Sequence, residues 1–111
     1  MGLRIEMKND LAICHIDGEI DINTSPDIKK SLDKLLSKKV VKIIINLTKV
    51  SYVDSSGLAT LVEILKNMRS YGGKMKISNM SPKVKSLFEI TKLDRLFDIV
   101  PDEQEAINTF A

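Results

Sequence analysis

The run Val40-Val41-Lys42-Ile43-Ile44-Ile45-Asn46-Leu47 constrains this chain more than any other segment. It is short, β-branched and almost continuously apolar, the pattern of a strand buried on both faces. Such a strand needs covering elements above and below it. A layered α/β sheet supplies them.

The flanking segments fit that frame. Leu3 to Met7 alternates apolar and polar residues, as a half-exposed edge strand does. Lys8-Asn9-Asp10 is a turn signal, and Leu11 to Ile16 is a second, more buried strand, so the two read as a hairpin. Asp17-Gly18 breaks the second run. Thr24-Ser25-Pro26-Asp27 then has the marks of a helix start: a hydroxyl cap, a proline whose missing N–H costs nothing there, and an early acid. Ile28, Leu32, Leu35 and Leu36 form its apolar stripe.

After the central run, a second helix is expected from near Ser55, with Leu58, Leu61, Val62, Leu65 and Met68 on one face and Tyr71-Gly72-Gly73 as its stop. Lys74 to Ser78 alternates again. Ser81-Pro82 opens a third helix with the stripe Val84, Leu87, Phe88 and Thr91. Phe97 to Val100 is a short last strand, and Pro101-Asp102-Glu103 opens a fourth helix carrying Ala106, Ile107 and Phe110 inward. The order is ββαβαβαβα: about five strands, the first antiparallel and the rest parallel with right-handed crossovers, and about four helices. At 111 residues this is one domain, spanning 1–111.

Composition narrows the function classes. Lys and Arg total 17 against 15 Asp and Glu, a net charge of +2. That surplus gives no nucleic-acid or membrane footprint. No apolar run reaches the roughly 20 residues of a bilayer span, and the N-terminus lacks signal-peptide anatomy, which points to the cytoplasm. The single cysteine, Cys14, has no disulfide partner, and His15 is the single histidine, so no metal-ligand cluster or cofactor site is expected.

In a parallel α/β sheet, function gathers on loops at the carboxyl ends of strands. The two candidate loops are Asp17 to Thr24 and Thr48 to Ser56. The second carries Val53-Asp54-Ser55-Ser56-Gly57-Leu58 at a helix start. Unpaired N–H groups and the helix dipole there favour either a capping side chain or a phosphate. Ser55 or Ser56 can cap directly. A phosphoserine would bring about −1.5 to −2 charges, beside an Asp54 that repels it. Gly57 leaves room for a close backbone or a bulky group. On the local pattern alone, simple capping and phosphate chemistry both remain open.

Gly18-Glu19-Ile20-Asp21, the long motif Asn46 to Leu58, Gly72-Gly73 and Ser81 to Phe88 together closely resemble the STAS family. More narrowly, they resemble its stand-alone bacterial anti-sigma-factor antagonists, over nearly the whole chain. The resemblance implies that Ser55, directly after the motif aspartate, is phosphorylated by a partner that is both serine kinase and anti-sigma factor, with Ser56 as the fallback acceptor. It implies that the unphosphorylated protein binds that partner and so releases a sigma factor, and that a cognate phosphatase resets the switch. It also implies docking roles for Asp21 and Asp54, with Thr24, Ser56, Gly57, Ser81 and Val84 around them. Ile22-Asn23 lie where family members vary. The first loop is therefore where this chain's partner preference would differ.

Two other classes compete. A serine hydrolase needs a base beside the nucleophile, but His15 lies mid-strand and no Gly-x-Ser-x-Gly elbow or phosphate loop exists, so no catalytic residue is assigned. A STAS scaffold without a phospho-switch would need no acceptor at all.

Overall fold

The computed structural model describes residues 2–110. The elements are β1 (Gly2–Lys8), β2 (Leu11–Ile20), α1 (Ser25–Ser37), β3 (Lys42–Val53), α2 (Ser55–Arg69), β4 (Lys74–Ser78), α3 (Pro82–Ile90), a 3-10 turn (Leu93–Arg95), β5 (Asp98–Val100) and α4 (Glu103–Phe110). The sheet order is β1-β2-β3-β4-β5. β1 pairs antiparallel with β2, and every later pair is parallel. The expected α/β topology, five strands and four helices in the order ββαβαβαβα, is the one observed.

The central run behaves as its composition demands. Ile43, Ile45 and Leu47 enter the larger core with residues of α1, α2 and α3, while Ile44 joins Leu11, Ile13 and Ala106 under α4. Successive residues of a strand point to opposite faces, so a strand between two helical layers must be apolar on both. The strand begins at Lys42, two residues later than expected, because Lys39 takes a left-handed φ of 57° and turns the chain there. Gly72, with φ of 85°, supplies the expected left-handed residue after α2.

Two boundaries differ from the sequence reading. Asp17-Gly18 does not end β2. The strand continues to Ile20 through register shifts between His15 and Asp17 and between Gly18 and Glu19, with Gly18 at φ 107°. Such bulges bend a strand without ending it. β3 likewise runs on to Val53, so Thr48 to Val53 is strand and not loop. Buried Val50 and Val53 hold this extension to the core while Thr48, Lys49, Ser51 and Tyr52 face outward. β1 pairing starts at Gly2–Asp17 and β4 pairing stops at Asn46–Ser78, so the last turns of β2 and β3 outrun both neighbours.

On the α4 face, polar groups take over where the apolar floor ends. Nearly buried Asn46 donates from Nδ2 to Glu103 Oε1 at 2.9 Å and accepts the Thr48 N–H at 2.9 Å. His15 Nε2 lies 3.3 Å from Glu6 Oε1 and 3.7 Å from Glu103 Oε1. These contacts join β1, β2 and β3 to the first residue of α4. On the other face Phe88 is fully buried and meets Phe97 edge-on, with ring centroids 5.7 Å apart. Thr91, expected inward, is exposed and ends α3 with its hydroxyl donating to the Leu87 carbonyl at 2.8 Å.

Phe88→Ala is expected to lower stability by about 3–5 kcal/mol, since it removes the largest fully buried side chain and its aromatic partner contact. Urea unfolding followed by circular dichroism checks this. A loss under 1 kcal/mol would mean that α3 is not packed as described.

Candidate functional site

The site is built where β2 and β3 project past the sheet. β3 ends at Val53 and α2 begins at Ser55, with Asp54 between them as the helix cap. Asp54 has extended backbone and its Oδ1 accepts the Gly57 N–H at 2.9 Å. The capping is thus done by the aspartate and not by Ser55 or Ser56. An Ncap side chain reaches the third helical residue, and the serines already sit inside the helix at its first two positions. Their hydroxyls are free of that task. Ser55 is exposed and Ser56 is half-buried.

The second oxygen of Asp54 crosses to the neighbouring segment. Oδ2 accepts the Ile22 N–H at 3.2 Å, and the Asp54 N–H donates to the Ile20 carbonyl at 3.0 Å. One residue therefore ties the start of α2 to the segment after β2. Gly57 closes the same junction from below. A Cβ there would meet the Ile20 carbonyl oxygen at 2.6 Å, Ile20 Cγ2 at 2.7 Å and Val53 Cγ1 at 3.0 Å. The room that Gly57 provides is filled by Ile20 rather than left for a ligand.

Asp21 stands across from this junction and folds its own loop. Its Oδ1 accepts the N–H groups of Asn23 at 2.9 Å and Thr24 at 3.0 Å. Partial desolvation pushes the carboxyl upward. The Thr24 and Asn23 N–H groups and the Thr24 hydroxyl outweigh it, so the carboxyl is held below its ordinary value of 3.8. Thr24 precedes α1, but its hydroxyl does not cap that helix. It accepts the Asp21 N–H at 2.9 Å and donates to the Glu19 carbonyl at 2.8 Å, fastening the loop to the end of β2.

Ser81 Oγ accepts the Val84 N–H at 3.2 Å and so caps α3. Val84 is buried, and it shapes the surface from beneath. Between the end of β3 and α3 lies a groove of about 450 Å³, walled by Tyr52, Ser55, Leu58, Lys83, Leu87 and Ile90. Tyr52 is 43% exposed, Ile90 79%, and Ile22 on the Asp21 side 68%. Three large apolar side chains are thus exposed around the Asp54 junction. Tyr52 and Ile90 were not singled out in the sequence, and Ile22 was named there only as a variable position of the first loop. Ile90, three residues after the stripe residue Leu87, is the last residue of α3.

The structure brings Asp21, Thr24, Asp54, Ser55 and Ser56 to one end of the molecule, and Lys83 and Val84 reach the same groove as Ser55. His15 lines a different cavity, with Arg4, Asn46 and Lys49, and its ring faces Glu6 and Glu103. Among the described residues no cluster of His, Cys, Asp and Glu could hold a metal ion, and no helix is long and apolar enough to cross a membrane.

An exposed serine at the first position of a helix thus follows an aspartate cap that ties two segments together, at one end of a small mixed α/β sheet. Residues 3–106 match the STAS domain, and the chain belongs to that family. An anti-sigma-B factor antagonist of Listeria monocytogenes is 36% identical over 109 residues, covering 95% of both chains. The anti-sigma-B factor antagonist of Bacillus subtilis is 34% identical, covering 89% of this chain and 92% of its own. Among solved structures, a Thermotoga maritima protein assigned to the anti-sigma factor antagonists superposes with a TM-score of 0.91 at 30% identity, covering 96% of this chain and 92% of its own.

Gly57→Ala is expected to destabilise the protein by about 1–3 kcal/mol, although alanine is the better helix former, because the added methyl overlaps the Ile20 carbonyl. Thermal unfolding of the variant tests this; an unchanged or raised midpoint would refute the contact. A second expectation concerns pH. The folded Asp21 carboxyl is lowered, so its contribution is present above 3.8 and lost as pH falls below it. Asp21→Asn should therefore lower stability at neutral pH and reduce the steepness of the acid limb of a stability–pH curve. Parallel acid limbs in the two proteins would count against it.

Proposed function

We propose that this protein is an anti-sigma-factor antagonist that binds an anti-sigma factor through the surface around Asp21, Asp54 and Ser55, and that phosphorylation of Ser55 turns the binding off. The observation that carries the reading is the exposed Ser55 hydroxyl directly after a cap that Asp54 already supplies. The antagonists of Listeria monocytogenes and Bacillus subtilis, similar over nearly the whole chain, support it.

Each part of the site takes a role. The Ser55 Oγ attacks the γ-phosphorus of a nucleoside triphosphate held by the partner, which acts as kinase as well as anti-sigma factor. The new O–P bond forms as the bond to the β-phosphate oxygen breaks, the hydroxyl proton passes to a base of the partner, and the nucleoside diphosphate leaves. Exposure selects Ser55 over the half-buried Ser56. Before transfer, the apolar residues Ile22, Tyr52 and Ile90 and the acids Asp21 and Asp54 offer a mixed surface, with the acids able to meet a partner arginine or lysine. After transfer, the same surface carries up to two further negative charges next to Asp54. Released sigma factor is the output of the bound state, and a cognate phosphatase restores it. The protein itself acts by binding, in the cytoplasm, and performs no catalysis.

The test is capture of the native partner followed by incubation with ATP and intact-mass measurement. One phosphate should be gained by the parent protein and none by Ser55→Ala. Ser55→Asp should weaken partner binding by about 5–150-fold, the usual range of such coupling. A captured partner with no phosphate gain, and unchanged affinity of Ser55→Asp, would favour a scaffold role instead.

A further inference from the structure

Lys83 is the second residue of α3 and lies on the lip of the groove that Ser55 also lines. Its ammonium sits 5.8 Å from the centroid of the Tyr52 ring. That is the outer edge of an effective cation–π contact, about 6 Å, so the ammonium is only loosely held. The ion pairs among the described residues engage Arg4, Lys8, His15, Lys29, Lys42 and Lys76, and Lys83 is in none of them. Within the groove the charged residues are Lys83 and Asp54. Each carboxylate oxygen of Asp54 accepts one backbone N–H, from Gly57 and from Ile22. The groove thus holds one loosely placed cation on a long flexible stem, in the same lining as Ser55 and in no ion pair with Asp54.

We propose that Lys83 is the internal counter-charge for a phosphate on Ser55, and that engaging it draws the lysine stem across the apolar groove. The proposal rests on Ser55 being the phosphorylated residue. A dianionic phosphate offers three strong acceptor oxygens, far better partners for an ammonium than an aromatic face. When Lys83 leaves Tyr52 for the phosphate, its methylenes pass over Leu58, Val84 and Leu87, the apolar bed of the groove. Phosphorylation then alters two features together: it adds charge beside Asp54 and it covers the apolar surface next to it. Lys85 cannot substitute, because it lines a separate cleft on α3 with Glu89, Asp94 and Asp98.

The experiment uses full-length protein with phosphoserine installed at position 55 by genetic-code expansion, so it needs no kinase. The second ionisation of the phosphate is followed by phosphorus NMR, and the Tyr52 ring protons by proton NMR. In the parent the phosphate should lose its second proton about half a pH unit lower than in Lys83→Met, the scale of a single surface charge contact. Lys83→Arg should keep the parent titration and Lys85→Met should match the parent. The Tyr52 ring resonances should move on phosphorylation in the parent and stay in Lys83→Met. Identical titrations and identical ring shifts in parent and Lys83→Met would overturn the proposal. Failure of the kinase experiment, with this titration as expected, would instead remove the switch and leave the Lys83 contact standing.

Discussion

The carboxylate of Asp54 is the contact on which the rest of the site depends. It caps α2 through the Gly57 N–H and reaches the Ile22 N–H with its other oxygen, while its own N–H holds the Ile20 carbonyl. Two of these three bonds leave the helix and fasten the segment after β2. The Gly57 N–H is half-buried and would lose its acceptor at a cost of about 1–3 kcal/mol, while the exposed Ile22 N–H would turn to water, so removing this side chain would uncap α2 and release its tie to the segment after β2. The aspartate beside the serine is therefore first a structural cross-tie. Any docking role it has is exercised from that fixed position.

The cross-tie is needed because of where the strands end. β2 and β3 continue beyond the last pairings with β1 and β4, so their tips lack sheet neighbours on the outer sides. A two-stranded projection is weak alone. Here it is held by Ile20, Val50 and Val53 beneath it, by Gly57 pressed against Ile20, and by the Asp21–Thr24 turn at its edge. The arrangement places Ser55 past the paired part of the sheet, on a junction held by hydrogen bonds and packing.

What the sequence made legible follows from which forces act locally. The apolar periods of β3, α1 and α2 revealed the layers, because burial on one or both faces dictates those patterns. The reach of β2 and β3 was not legible. Asp17-Gly18 carries a turn signal, and the bulge that absorbs it is set by pairing to β3, a contact distant in sequence. The capping residue was misread for a related reason. Asp, Ser and Ser are all good caps, and only the point where β3 stops decides which of them falls at the cap. Thr24 has the same ambiguity, resolved by the Glu19 carbonyl brought beside it by the extended β2. The groove needed the tertiary structure entirely, since Tyr52 comes from β3 and Ile90 from α3.

A base tied at these points bears on what a phosphate on Ser55 could do. Refolding the start of α2 would require breaking the Asp54 cap and separating Gly57 from Ile20, both firmly set. The added charge would therefore stay at the surface and act on whatever docks there, together with the side chains free to move. Among the groups lining the groove, the exposed Lys83 side chain is the freest of the charged ones, and the aspartate is already committed. Under the proposed phosphorylation, local electrostatics on this frame would change partner affinity without requiring a change of backbone.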